Sequence, residues 1–463
     1  MKYIDETKIR DLLKEAKKAS LPVIERILNK SRSLKRLSLQ EAAMLLAAED
    51  PVIVKKIFAA AAFVKDAIYG RRVVLFAPLY ISNICANACL YCAFKSDNPL
   101  TKRRALTIDE VKNQVEWLLR RGHKRILMVA GESAPGGRTN IDYYVESVKA
   151  IYSVEVGPHR IKRVNVNCAP LSTLEFKKLR SSGIGTYQLF QETYHEKTYR
   201  HVHPKGPKSD PDNRIGAIDR AFLAGIDDIG IGVLYGLYDW KFETLAMLMH
   251  IEHMEEKFKV GPHTISVPRI EPALGVSFTK NMPYKLSDRE FKRLVAVLRL
   301  CVPYTGIILS TRETAVMRDA LFSLGVSQIS AESRTSPGGY SSADNNQNQD
   351  IQFTIGDQRS LDEIIGSLIK HKFIPSFCAA CYRKERTGEA FMHLARPGTI
   401  QGKCSMNALI TLKEYLDDFA SSQVKRIGYK FIEEFKKSLN KHDLGTLSKF
   451  FADIDKGKRD KFV

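Results

Sequence analysis

Residues 1 to about 70 carry their apolar side chains at helical spacing. Leu12, Leu13, Ala16, Ile24, Ile27 and Leu28 mark the buried stripe, and Ser38 with Glu41 three residues later predicts a capping box. No strand-like run precedes Val73. From there the pattern changes to short apolar runs separated by amphipathic stretches. Eight strands are predicted, at Val73–Leu79, Arg125–Ala130, Arg163–Cys168, Thr186–Gln191, Ile229–Leu234, His263–Arg269, Gly306–Ser310 and Gln328–Ala331. Helices are predicted between them, for example Thr107–Arg121, Ser172–Arg180, Lys241–Phe258 and Asp288–Leu300. Gly122, Gly183, Gly225 and Gly325 stand where helices would stop. Eight strand–helix alternations over roughly 260 residues fit an α/β fold, a TIM (β/α)8 barrel; an open doubly wound sheet uses the same elements. The polar run Ser341 to Asp350 reads as an exposed connector, and the rest reads mostly helical. The expected organisation is a helical N-terminal extension over 1–72, the barrel over 73–340 and a C-terminal domain over 341–463.

Composition narrows the class. Of 463 residues, 44% are hydrophobic and 27% charged, a globular balance that excludes wholesale disorder. Eight cysteines are too few for a disulfide scaffold. The start Met-Lys-Tyr-Ile-Asp-Glu-Thr-Lys has no apolar stretch behind it, so no signal peptide is expected. No window approaches the ~20 apolar residues of a membrane span, so a cytoplasmic, reducing setting with no membrane partner is expected. Lys and Arg number 72 against 52 Asp and Glu, giving +20. That charge suits nucleic acid. The basic residues are spread out and not interleaved with aromatics, so the reading is a solvated surface for anionic small molecules or an acidic protein, and nucleic acid is not expected as a partner.

Candidate chemistry begins just past the first predicted strand, with Cys85, Cys89 and Cys92 spaced by three and then two residues. Three thiolates in a tight loop can hold an iron–sulfur cluster and leave one iron without a protein ligand. Structural zinc usually takes four ligands, and the next cysteine along the chain is Cys168. The spacing, with Tyr91 before the last cysteine, resembles the radical S-adenosylmethionine (SAM) superfamily. The resemblance implies that the three cysteines hold a 4Fe–4S cluster, that SAM chelates its open iron, and that one electron cleaves SAM to methionine and a 5′-deoxyadenosyl radical. It places Tyr91 against the adenine and Gly131, Glu132 and Ser133 on the methionine amino group. It places Glu192 on the ribose or methionine, and Arg214 on the SAM carboxylate with Arg220 as a rival. Further polar groups end the later strands, where TIM-barrel chemistry sits. They are Arg269 and Glu271 after the sixth, Ser310, Thr311 and Arg312 after the seventh, and Glu332, Ser333 and Arg334 after the eighth. Arg269, Glu271, Glu332 and Arg334 are the catalytic candidates.

A second set, Cys378, Cys381 and Cys404, again offers three thiolates and no obvious fourth. An iron–sulfur cluster with an open iron, a zinc site completed by His393, and a redox Cys-x-x-Cys pair are the readings. A radical SAM barrel followed by this triad resembles the HydG family, the tyrosine lyases of FeFe-hydrogenase maturation. The likeness spans nearly the whole chain. It includes Phe190-Gln191-Glu192-Thr193-Tyr194-His195, the run Gly261 to Arg269, Ser333-Arg334-Thr335 with Gly338-Gly339-Tyr340, and Asp453-Ile454 through Gly457 to Arg459-Asp460.

The resemblance implies cleavage of L-tyrosine at Cα–Cβ to p-cresol and dehydroglycine. Dehydroglycine then becomes CO and cyanide at an auxiliary cluster. That cluster carries an additional iron bound via a free cysteine, and the product is an Fe(CO)2(CN)–cysteine unit. The implied partners are L-tyrosine, SAM, cysteine, an electron donor and a HydF-like maturation scaffold. His263, with Ile265, Val267, Arg269 and Glu271 on the same face of an alternating strand, is expected to point inward at the barrel floor. The resemblance makes it a ligand of the additional iron; a satisfied core histidine is the plain alternative. Arg334 is matched to the tyrosine carboxylate, with an ion pair to Glu332 or Glu271 as its alternative. Cys168 and Cys301 read as small buried hydrophobes. Two other functions remain open at this point: a tyrosine lyase that stops at dehydroglycine for thiamine thiazole synthesis, and a nucleic-acid-binding iron–sulfur protein.

Overall fold

A computed structural model describes residues 1–134, 136–282, 284–341 and 351–463. The connector expected over 341–350 therefore lies outside the described residues beyond Ser341. Four helices lead in: α1 Glu6–Ala16, α2 Leu21–Arg32, α3 Leu39–Ala47 and α4 Pro51–Tyr69. The capping box at Ser38 and Glu41 is present, and Asp50 caps α4 with Pro51 in its first turn. Among the described residues no helix is long and apolar enough to cross a membrane.

Eight parallel strands follow: β1 Arg72–Ser82, β2 Arg125–Ala130, β3 Arg163–Asn167, β4 Tyr187–Glu192, β5 Ile229–Val233, β6 Thr264–Ser266, β7 Gly306–Leu309 and β8 Val326–Ser330. β8 pairs back onto β1, Val74 opposite Gln328 and Phe76 opposite Ser330, so the sheet closes. That closure settles the fold as a barrel and removes the open-sheet alternative. Its helices include α5 Ile108–Arg120, α6 Ile141–Ser153, α7 Thr173–Ser181, α8 Glu196–Val202, α9 Pro211–Leu223, α10 Trp240–Phe258, α11 Asp288–Cys301 and α12 Ala315–Leu321.

Strand alternation sorts the side chains. Val73, Leu75, Ala77, Leu79 and Ile81 of β1 join the large core under the helices. Phe76, Pro78 and Tyr80 face a cavity inside the barrel. In β4 to β8 the inward face is mixed, Gln188, Ser266 and Ser330 lying beside Phe190 and Ile308. Gly230 and Gly306 are small of necessity, since a Cβ would come within 2.7 Å of Thr264 and 2.8 Å of Gln328. The glycines make room for Gln188, Thr264 and Gln328, which are buried inside the lower barrel.

The sixth strand corrects one expectation. It covers Thr264–Ser266 only, because Pro268 has no N–H to extend the ladder. Ile265 and Val267 are fully buried in the outer core, while Ser266 and Pro268 line the cavity. The odd-numbered face, expected inside, is the outer one.

Beyond residue 350 the chain forms α13 Leu361–Lys370 and then β9 Ile374–Ser376. β9 adds in parallel to the lower end of β1, Arg72 opposite Ile374 and Val74 opposite Ser376. The helices α14 Ala380–Arg383, α15 Gly388–Ala395, α16 Ile400–Asp418, α17 Ser422–Lys436 and α18 Lys441–Asp455 complete this region. Cys168 and Cys301 are buried among apolar neighbours, as read from sequence.

Candidate functional site

The cavity opens at the C-terminal ends of the strands and encloses about 1030 Å³ including its mouth. Phe76, Tyr80, Phe190 and Phe353 give it aromatic walls. Cys92 and Tyr91 border it from the long loop between β1 and α5. Burial pushes the Cys89 thiol up to about 12 and also raises Cys92, and the charges of the other loop cysteines add to both shifts. The three sulfurs thus share one small space, and bare thiolates there are costly; iron would supply the missing positive charge. Among the described residues no group of three His, Cys, Asp or Glu is arranged to hold a single metal ion. A multi-iron cluster, whose thiolates sit on different irons, suits such spacing. Side-chain amides of Asn87 and Gln352 lie 3.6 Å from the sulfurs of Cys85 and Cys92, donors fit for cluster thiolates.

The end of β2 approaches this loop closely. A Cβ on Gly131 would sit 2.5 Å from the Ile84 carbonyl oxygen, so only glycine fits. Glu132 accepts from Asn87 Nδ2 at 2.9 Å and lies 3.8 Å from Arg214. Glu192, in a left-handed conformation at φ 73°, pairs with Lys208 at 2.6 Å and lies 3.8 Å from Arg214. Glu132, Glu192 and Arg214 are therefore brought together beside the cluster loop. Arg220 is not; it turns back to Leu171 and Asn213. Ser133 donates to the Thr139 carbonyl instead of facing the cavity. Tyr91 is buried, with its hydroxyl on His203.

The four catalytic candidates fare differently. Arg269 pairs with Glu313 and with Asp288 at 2.8 Å, and its guanidinium lies 4.6 Å from the Phe291 ring centre, in the helix layer. Glu271 lies off the cavity wall, half-buried, with its carboxyl pushed up by burial. Glu332 takes Arg121 at 3.1 Å and the Leu361 N–H at 3.4 Å. Arg334 reaches only the Ser333 carbonyl, at 3.4 Å, and Ser333 and Thr335 line the cavity in its place. The reason is one residue. Glu332 is left-handed, φ 50°, which shifts the alternation after β8 by one position.

Arg312, named from sequence only as one of the polar groups ending β7, also lines the cavity. Arg312 is stacked 3.3 Å above the Phe353 ring centre, and among the described residues no carboxylate lies within ion-pair distance of it. Burial lowers its pKa. A half-buried guanidinium with no counter-ion, facing an aromatic pocket, is suited to a ligand carboxylate. Its position at the end of β7 was visible; its isolation was not, because Phe353 arrives from beyond the connector.

A second site lies at the other end of the barrel. Cys378 follows β9, Cys381 is in α14 and Cys404 in α16. Burial pushes Cys378 up to about 11, and Cys404 and Cys381 add to the shift, so these sulfurs also converge. Arg72, Arg125 and Arg163, the first residues of β1, β2 and β3, are buried around them, and Arg125 donates to the Cys378 carbonyl. His263 stands just before β6 at the same rim, 3.8 Å from Asp228, with its ring against Phe391. Burial lowers its pKa to about 4, which keeps the imidazole neutral and able to ligate. His393 is exposed and pairs with Glu389, so the zinc reading loses its fourth ligand.

One buried acid supports the upper site from behind. Glu243 accepts from Thr193 Oγ1 and from the Tyr194 N–H at 2.7 Å, fixing the turn after Glu192. Burial raises its carboxyl from 4.5 to about 8. Since the folded value exceeds the unfolded one, its contribution is complete below about pH 4.5 and is lost as pH rises through about 8. Thermal unfolding midpoints from about pH 5 to 9 are expected to fall in the parent and to flatten in Glu243→Gln.

Comparison with known proteins agrees with this geometry. The Radical SAM superfamily matches residues 79–250, and the Biotin and Thiamin Synthesis associated domain matches residues 266–374. A solved structure described as HydG, a maturase of the [FeFe]-hydrogenase, is 46% identical, covers 100% of both chains and superposes with a TM-score of 0.96. The chain belongs to the HydG family. The FeFe-hydrogenase maturase HydG from Carboxydothermus hydrogenoformans is 40% identical over 96% of this chain and 97% of that one, with a TM-score of 0.84. A 2-iminoacetate synthase from Escherichia coli (strain K12) is 31% identical over 65% of this chain and 76% of its own. As a HydG-family member the chain is a radical SAM lyase acting on tyrosine. The superfamily implies a 4Fe–4S cluster and SAM, and the loop of Cys85, Cys89 and Cys92, with Glu132, Glu192 and Arg214 beside it, has the chemistry to fit them.

Proposed function

We propose that this enzyme cleaves L-tyrosine at Cα–Cβ to p-cresol and dehydroglycine in the upper cavity and converts dehydroglycine to CO and cyanide at a second cluster below. The product is an Fe(CO)2(CN)–cysteine unit destined for the FeFe-hydrogenase H-cluster through a HydF-like scaffold. The observation that carries the second half is the convergence of Cys378, Cys381 and Cys404 beside neutral His263, at the barrel end opposite the SAM site. A lyase that stops at dehydroglycine has no use for three more converging thiols.

When bound, the SAM-linked cluster supplies a 5′-deoxyadenosyl radical, and the auxiliary cluster, with its additional iron and free cysteine, supplies the metal for CO and cyanide. The chain's own residues position and shield. Arg312 takes the tyrosine carboxylate in preference to Arg334, and the aromatic walls hold the phenol ring away from water. Buried Gln188, Thr264 and Gln328 make the barrel interior between the two sites polar. Cys378, Cys381 and Cys404 would hold the auxiliary cluster, and His263 would bind its additional iron.

Anaerobic reconstitution with iron, sulfide, SAM and dithionite tests this. About nine irons per chain are expected, with p-cresol, CO and cyanide all formed from tyrosine. About four irons and no CO would leave only the dehydroglycine-forming reaction.

A further inference from the structure

The loop carrying Cys85, Cys89 and Cys92 contains no helix or strand between β1 and α5. Internal hydrogen bonds, such as the Ser96 N–H to the Asn87 carbonyl at 2.7 Å and Asn98 Nδ2 to the Ala93 carbonyl at 2.8 Å, shape part of it, and a neighbouring segment holds the cysteine-bearing part from outside. The Leu90 N–H donates to the Val202 carbonyl at 3.0 Å, and the Ala88 N–H to the Lys205 carbonyl at 3.1 Å. The Lys208 N–H donates to Asn87 Oδ1 at 2.7 Å. The Tyr91 hydroxyl donates to His203 Nε2 at 2.8 Å, with the tautomer set because His203 Nδ1 donates to the Tyr199 carbonyl at 2.9 Å. Four contacts thus tie Asn87, Ala88, Leu90 and Tyr91 of the loop to the last residue of α8 and the short stretch that follows it.

Gly206 lies at the centre of that stretch. Its φ is 95°, and a Cβ there would meet Asn87 Oδ1 at 2.5 Å and the Ala86 carbonyl at 2.7 Å. The stretch also reaches the SAM-facing acids. Lys208 Nζ donates to Glu192 at 2.6 Å, and Asn87, held by the Lys208 N–H, donates to Glu132 at 2.9 Å.

We propose that residues 203–208 form a positioning clamp that sets the cysteine loop in its iron-binding shape and couples that shape to Glu132 and Glu192. The clamp rests on the assignment of Cys85, Cys89 and Cys92 to the first cluster and is independent of the auxiliary site. Physically, it moves the entropy of ordering an irregular loop from cluster insertion to folding. His203 and Lys208 are positioning residues; neither is asked to touch a reacting atom.

The test uses the full chain carrying Cys378→Ser and Cys381→Ser, so that iron reports the first cluster alone. The parent in this background is expected to take up about four irons per chain. Gly206→Ala is expected to lose most of them while its far-UV circular dichroism and unfolding midpoint stay close to the parent. Two milder variants keep the iron and read the coupling. His203→Leu and Tyr91→Phe are each expected to weaken SAM binding by up to about tenfold, the scale of one buried hydrogen bond. The double variant should lose no more than either single one, and His203→Gln, which retains an acceptor, should recover part of the loss. Full iron uptake by Gly206→Ala, or additive losses in the double variant, overturns the clamp. A parent that binds no iron in this background sinks the cluster assignment and the clamp with it.

Discussion

Replacing Cys378 and Cys381 together with serine is expected to abolish CO formation and to leave p-cresol formation largely intact. The two chemistries sit at opposite ends of the barrel. Arg312 and the aromatic walls proposed to hold tyrosine line the upper cavity, whereas Cys378 and Cys381 lie below β2 and in α14, at the other end of the barrel. Losing two of three thiolates removes the auxiliary cluster outright, so the expected effect is loss of product below detection, not a graded decline. Iron should fall from about nine to about four per chain at the same time. Carbon monoxide assayed by binding to deoxyhaemoglobin, with p-cresol by chromatography on the same samples, gives the readout. CO from the double variant would show that the lower site is not where it is made.

Arg312→Ala is expected to lower kcat/KM for tyrosine by about 100-fold or more, in line with the ~2–5 kcal/mol typical of removing one partner from a buried charge pair. Arg334→Ala is expected to change it by no more than about threefold, as for a substitution away from the pocket. The contrast follows from geometry. Arg312 lines the cavity with no counter-ion within reach, and Arg334 is turned aside to the Ser333 carbonyl. Tyrosine-independent cleavage of SAM to 5′-deoxyadenosine should survive in both variants, separating substrate binding from cluster loss. Equal large losses in both, or a loss confined to Arg334→Ala, would return the carboxylate to Arg334.

Legibility from sequence divided along a physical line. Local patterns were enough for the barrel strands and the capping box at Ser38, because each depends on residues close together in the chain. Glu132 and Arg214 were also readable, through the motif and through their place at strand and helix ends. What failed was anything set by a backbone irregularity or a distant partner. The left-handed residue at Glu332 moved Ser333 and Thr335 into the cavity and Arg334 out. Pro268 shortened β6, and the face expected inside holds Ile265 and Val267 under the helices. Arg269 was expected in the site at the end of the sixth strand, but Asp288 and Glu313, from later in the chain, hold it in the helix layer. β9 was missed because three residues carry no readable period.

That short strand has a consequence for how the molecule comes into being. The hydrogen-bonding edge at Arg72–Val74 is completed only by Ile374–Ser376, some three hundred residues later in synthesis. An early strand whose lower end waits for a late one is a contact of very long range, and such contacts form slowly. Through that interval the floor of the barrel stands open and Arg72 lacks the cysteines it later faces. A chain stopped during translation anywhere before residue 374 therefore exposes an unpaired edge at its base. The last fifth of the protein acts as the keystone of its first strand, and the nascent enzyme is most exposed to aggregation until it is in place.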